Sequence, residues 1–136
     1  MINLLLVDDD QDDIYFFKQA VKKVALPINL STYRDGKEIC DYLAVNKDCE
    51  NSIVLLDLNM PGIGGLETLR IIRQSLGLVT LPVLIYTTSK NVKDIEESYK
   101  IGASSYIKKL DTINEIAAFL KSVVGFWAIY NRAINT

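Results

Sequence analysis

Apolar runs and amphipathic runs alternate five times along the chain. The apolar runs are INLLLV at 2–7, INLSTY at 28–33, IVLL at 53–56, LPVLIY at 81–86 and SYI at 105–107. The first, third and fourth are almost continuously apolar, as expected of central parallel strands covered on both faces. Pro82 stands at the start of its run, where a missing N–H is tolerated. Between the runs lie segments of helical period. Ile14, Phe17, Val21 and Val24 recur at steps of three and four, with Lys18, Lys22 and Lys23 on the opposite side. Residues 37–45, 66–76 and 92–101 predict three further helices. The last helix opens on Thr112-Ile113-Asn114-Glu115, a capping-box pattern, and runs on through Ile116, Leu120, Val123 and Trp127. Turn residues fall between the elements at Pro27, Asp35-Gly36, Pro61-Gly62 and Gly102.

Five strands alternating with five helices predict an α/β fold, a doubly wound five-stranded parallel sheet with right-handed crossovers. In such sheets the ligand site lies beyond the carboxyl ends of the strands. A length of 136 residues suits one domain, here expected to span 1–136 with a C-terminal helix extended from about residue 112.

Composition narrows the chemistry. The chain contains no histidine, which removes imidazole-based triads and histidine-ligated metals, and means that it cannot be the histidine-bearing partner in a phosphorelay. A net charge of −2 argues against a direct nucleic-acid partner, because no basic excess displaces counterions from phosphates. No run approaches the roughly 18 unbroken apolar residues that span a bilayer, and the N-terminus lacks the features of a signal peptide. A cytoplasmic protein with no membrane partner is expected. Cys40 and Cys49 have no CxxC spacing and read as tolerated thiols.

The strand ends gather unusual residues. Asp8-Asp9-Asp10 follow the first strand, Asp57 the third, Thr87-Thr88-Ser89 the fourth and Lys108-Lys109 the fifth. Carboxylates gathered in one cleft resist ionising together, and a hard divalent cation resolves that conflict. No G-x-G-x-x-G follows the first strand, so a dinucleotide site is not expected. Gly62, Gly64 and Gly65 read as a tight turn that frees the backbone rather than as a phosphate cradle. Asp10, Asp12 and Asp13 read as an N-cap and first-turn charges favourable to the helix macrodipole.

The segments LLLVDDD at 4–10, LLDLNMPGIGGLE at 55–67, LPVLIYTTS at 81–89 and GASSYIKK at 102–109 together resemble the CheY-like response-regulator receiver domain, over residues 2 to about 122. The resemblance implies a flavodoxin-like sheet of order 2-1-3-4-5 and a stand-alone signalling domain of a two-component system. It implies no enzyme beyond catalysis of its own phosphorylation and dephosphorylation. By the resemblance Asp57 is the phosphoacceptor. Asp8 and Asp9 form the acidic pair of a Mg²⁺ (or Mn²⁺) site that also takes Asp57 and the backbone carbonyl of Asn59. Lys109 pairs with the phosphoryl oxygens, and Thr87, with Thr88 beside it, supplies the hydroxyl that closes on them. Tyr106 is the aromatic switch, and Asn59 and Ser89 tune the lifetime of the phosphate. The implied partners are a sensor histidine kinase or histidine phosphotransfer protein and a downstream protein that the sequence does not name. With no effector segment after the last helix, output is expected through binding.

One position departs from the family, which usually places proline after the lysine, often through a cis bond. Leu110 stands there instead, and a cis bond before leucine costs about 2.5–4 kcal/mol. Either a strained cis peptide or a differently shaped loop is expected. Two other functions compete: a degenerate receiver that binds without phosphorylation, and a haloacid-dehalogenase-like phosphatase built on Asp8-x-Asp10. The second wants Thr or Val at position 12, finds Asp12, and leaves Asp57 unexplained. Finally, Phe119, Phe126 and Tyr130 lie about a quarter-turn from the core-facing stripe of the last helix. They are expected to form an apolar homodimer or kinase-docking face, unless the extension buries them within the monomer.

Overall fold

The computed structural model describes the backbone of residues 1–129 and the side chains through Trp127. Five parallel strands, β1 (Ile2–Val7), β2 (Ile28–Tyr33), β3 (Ser52–Leu56), β4 (Val83–Thr87) and β5 (Ser105–Lys108), form one sheet of order β2-β1-β3-β4-β5. The helices are α1 (Gln11–Val24), α2 (Gly36–Val45), α3 (Gly64–Arg70), α4 (Val92–Ile101) and α5 (Ile113–Ile129). The expected doubly wound fold is observed.

Successive strand residues point to opposite faces, and the sheet therefore divides its apolar side chains between two cores. Leu4 and Leu6, Ile53 and Leu55, Leu84 and Tyr86 pack under α1 and α5 with Phe17, Ile116, Leu120 and Val124. Leu5 and Val7, Val54 and Leu56, Val83 and Ile85 pack on the other side with Ile39, Leu43, Leu69 and Ile72. This double burial is why the central strands lack polar alternation. Half of the expected capping box closes the start of α5: Thr112 Oγ1 accepts the Glu115 N–H at 3.1 Å and donates to Glu115 Oε1 at 3.0 Å. Cys40 and Cys49 are half-buried free thiols, and burial pushes the Cys40 thiol up to about 11, leaving it protonated at neutral pH. No helix among the described residues is long and apolar enough to cross a membrane.

Two expectations require correction, and one open alternative is resolved. The third helix does not run unbroken over 66–76. It begins at Gly64 and passes into a π-helical turn, Ile71–Ser75, closed by the Leu76 N–H on Ile71 O at 2.9 Å. A single wide turn is invisible to a search for period 3.6, and it brings Arg73 to the interior beside Ile72. The second correction concerns the aromatic stripe of α5. Phe119 is partly buried against the first core and stacks on Tyr86 with centroids 6.2 Å apart. Phe126 is 51% exposed and packs beside Trp127, whereas Tyr130 lies outside the described residues. The stripe is split because α5 packs on α1 as well as on the sheet, which widens its buried arc. The open alternative concerns Leu110. All peptide bonds among the described residues are trans, so the loop is the alternative that applies. The Leu110 N–H, which a proline would lack, lies 3.2 Å from the Tyr86 hydroxyl, and the leucine side chain packs on the first core.

Candidate functional site

The register of the sheet assembles the site. Val7 lies opposite Leu56, and Leu56 opposite Ile85, so the residues that follow β1, β3 and β4 emerge at one end. Three backbone bonds fasten these exits: Asp8 N–H to Tyr33 O at 2.9 Å, Asp57 N–H to Val7 O at 3.1 Å and Lys109 N–H to Thr87 O at 2.8 Å. Behind Asp57, a Cβ on Gly65 would lie 2.4 Å from Asp57 O, so only glycine lets the first turn of α3 rest on that backbone. Gly62 and Gly64 have positive φ of 81° and 73°, in keeping with the tight-turn reading.

Asp8 and Asp57 are buried, whereas Asp9 is exposed at the mouth. Asp8 Oδ1 accepts the Asp10 N–H at 2.9 Å, and Asp57 Oδ1 accepts the Asn59 N–H at 3.2 Å. The Lys109 ammonium sits among three carboxylates, 2.9 Å from Asp8 Oδ2, 3.0 Å from Asp57 Oδ2 and 2.5 Å from Asp13 Oδ2. Burial lowers the affinity of Lys109 for its proton, but the adjacent carboxylates of Asp13, Asp8 and Asp57 outweigh it and hold the group charged. The different loop at Leu110 therefore still delivers the ammonium to Asp57. Lys108 is exposed, as expected of a solvated neighbour.

Asp8, Asp9 and Asp57 each offer a carboxylate oxygen within 4.8 Å of the others. Asp8 Oδ2 is fully buried and receives no directed hydrogen bond; Lys109 stands near it only as an ionic neighbour. Burial raises the Asp8 pKa, against the Asp10 N–H and Lys109, and the charge of Asp57 adds to the rise. Three converging acids, one with a buried oxygen that has no hydrogen-bond donor, fit a hard divalent cation. The linkage has a definite sign. A carboxyl whose folded pKa exceeds its unfolded value loses stability as pH rises from the unfolded value through the folded one. At pH 7 the ionised Asp8 therefore costs stability in metal-free protein. Asp8→Asn is expected to raise the metal-free melting temperature by about 3 °C in calorimetry with chelator. Millimolar Mg²⁺ should stabilise the wild type more than this variant; equal gains would contradict Asp8 as a member of the metal site.

Thr87 is fully buried and its Oγ1 accepts the Ser89 N–H at 3.4 Å, whereas Thr88 is exposed. Neither caps α4, whose N-cap is Asn91. The Ser89 carbonyl accepts the Tyr106 hydroxyl at 3.0 Å, and the Ser89 hydroxyl lies 2.7 Å from Asp94 Oδ2 in the first turn of α4. Tyr106 is half-buried against the second core, and burial raises its pKa. Asn59 is exposed beside the pocket.

A family model described as the response regulator receiver domain matches residues 4–121. The chain belongs to this family. It is 30% identical to the response regulator Rcp1 of Synechocystis over 91% of this chain and 87% of that protein. It is 29% identical to the probable methanogenesis regulatory protein FilR2 of Methanothrix harundinacea, over 96% and 86% of the two chains. Among solved structures, the Mn²⁺-bound form of Rcp1 aligns with a TM-score of 0.79 at 29% identity, over 97% of this chain and 98% of that one. The phosphorylated cyanobacterial phytochrome response regulator RcpA aligns at 0.81 and 30% identity, over 96% of each. This chain is a receiver domain of two-component signalling, a family that takes phosphoryl groups from histidine kinases or phosphotransfer proteins.

Within this receiver, Asp8, Asp9, Asp57 and Lys109 come together, and Thr87 lies beside them, its carbonyl accepting the Lys109 N–H. Asp13 does more than the sequence indicated. Asp10 is the N-cap, accepting the Asp12 and Asp13 N–H groups, but the Asp13 carboxylate turns away from the helix start to Lys109.

Proposed function

We propose that this receiver accepts a phosphoryl group on Asp57 from a sensor histidine kinase or histidine phosphotransfer protein, in a Mg²⁺- or Mn²⁺-dependent reaction, and signals by a change of surface around α4 and β5. The observation that carries the reading is Asp57, whose carboxylate converges with those of Asp8 and Asp9 and touches a buried ammonium. Asp8, Asp9, Asp57 and the Asn59 carbonyl would hold the cation, whose charge offsets that of the equatorial phosphoryl oxygens. An Asp57 oxygen attacks phosphorus in line; the P–O bond forms as the P–N bond to the donor imidazole breaks, and the imidazole leaves with the electron pair. No general base is needed, since the nucleophile is a carboxylate and the work is positioning and charge. Lys109, already 3.0 Å from Asp57 Oδ2, is placed to follow the new oxygens.

Relay to the surface is supported by Ser89, whose amide bonds Thr87, whose carbonyl bonds Tyr106 and whose hydroxyl bonds Asp94. If the Thr87 hydroxyl moves to the phosphoryl group, all three links must readjust, giving the two states different contacts. Asn59 at the pocket mouth, and Ser89, are placed to set how readily water reaches the phosphate. The manganese and the phosphoryl group named for Rcp1 and RcpA support the same reading here.

The test is incubation of the protein with acetyl phosphate, with and without Mg²⁺, followed by intact-mass analysis. The expected result is one added phosphoryl group that requires the metal. No addition, together with no fluoroberyllate binding, would leave a phosphorylation-independent binding module. Continuous turnover of phosphate esters would point to the phosphatase instead.

A further inference from the structure

The closest neighbour of the Lys109 ammonium is not the acceptor but Asp13, at 2.5 Å, against 2.9 Å for Asp8 and 3.0 Å for Asp57. The lysine side chain is 9% exposed and Asp13 29%, so this ion pair forms the lip of the pocket, where it is only partly screened by water. An ammonium has three donors, and here it directs hydrogen bonds to Asp13 and Asp57 while Asp8 lies within ionic contact. Asp8 and Asp57 are buried on strand ends and would retain Lys109 in the pocket by themselves. Asp13 stands apart from them on α1, and it is not one of the three acids gathered for a metal.

We propose that Asp13 is a positioning residue that competes with the incoming phosphoryl group for Lys109, and so sets the rate and affinity of phosphoryl loading. The inference rests on the reading of Asp57 as acceptor. A phosphoryl group brings a charge of about −1.5 to −2 and three strong acceptor oxygens. To bond them, Lys109 must redirect donors it now spends on carboxylates. The Asp13 bond is the shortest of these and is charge-assisted at both ends, so releasing it opposes loading. Asp13 thereby acts as a built-in antagonist of its own receiver: the domain loads only as fast as Lys109 is given up by α1.

Asp13→Asn keeps the size of the side chain and removes the charge. It should speed acetyl phosphate loading and tighten fluoroberyllate binding, each by about tenfold, the scale of one charge-assisted hydrogen bond. Asp13→Glu, which restores the charge, should return the rate to within about twofold of wild type. Asp12→Asn removes the same charge from the same helical turn, but Asp12 is exposed and has no contact with Lys109. It should leave the loading rate near that of wild type. Loading by Asp13→Asn that is no faster than wild type would overturn the proposal. Equal acceleration by Asp12→Asn would overturn it too, by assigning the effect to the general field of the acidic segment. A wild type that neither loads nor binds fluoroberyllate would instead sink the acceptor assignment on which the inference stands, before any variant is compared.

Discussion

Asp57→Asn is expected to stay at the mass of the unmodified chain after prolonged incubation with acetyl phosphate and Mg²⁺, a loss of at least about a hundredfold in initial rate. The neighbouring acids cannot take over. Asp8 is almost wholly buried, its Oδ2 is held 2.9 Å from the Lys109 ammonium, and its raised pKa makes it a reluctant anion. Asp9 is exposed and makes no ion pair with Lys109. Asp57 alone joins a fixed orientation, through the Asn59 N–H on Oδ1, to direct contact of Oδ2 with the ammonium. The variant should remain folded, since the asparagine oxygen can accept the same N–H and Lys109 keeps Asp8 and Asp13. Circular dichroism checks the fold and intact-mass analysis checks the reaction. An added phosphoryl group on the folded variant would show that another residue accepts it.

The second large effect lies far from the acids. Arg73→Met is expected to cost about 3–5 kcal/mol of stability, read from urea unfolding with an unchanged m-value. The guanidinium is nine-tenths buried. Its Nε donates to Gly102 O at 2.8 Å, and Nη1 lies 2.6 Å from both Leu78 O and Leu81 O. Nη2 lies 3.4 Å from Ser104 Oγ. Burial lowers its pKa, yet a guanidinium stays charged, and these dipoles are what its charge rests on. Methionine fills a similar volume but leaves three carbonyls without their donor, and each such buried group costs about 1–3 kcal/mol. Since the arginine ties the π-helical turn to the segments entering β4 and β5, that cost is shared by three parts of the fold. A loss below about 1 kcal/mol would show that water replaces the arginine.

Arg73 also marks where the sequence ceased to be legible. An arginine three residues after Arg70 on an amphipathic helix reads as part of a solvated face, and Arg70 indeed pairs with Glu67 on the surface. The π turn rotates Arg73 inward, and nothing in a hydropathy pattern encodes that rotation. The central strands were legible because residues buried on both faces leave no polar alternation. The meeting of Asp8, Asp57 and Thr87 was legible because parallel register aligns whatever follows each strand. The start of β4 was less so: Leu81 is buried like a strand residue, but the strand begins at Val83. Asp13 was hidden for a different reason. An acid in the first turn of a helix already has a sufficient explanation in the macrodipole, so its long-range partner cannot be inferred from its own segment. Phe119 was misplaced because one angular sector was allotted to the core, whereas α5 faces both the sheet and α1.

The links at Ser89 differ in what mutation can reach. Those to Thr87 and Tyr106 use the amide and the carbonyl, which every residue except proline presents alike. Those to Asp94 and to the Asn91 N–H, both at the start of α4, use the side chain. Drift at position 89 can thus detach or re-aim α4 while the connection between Thr87 and Tyr106 persists. Receivers that diverge there could acquire new outputs without rebuilding the sensing end, because the heritable variation falls on only one arm of the joint.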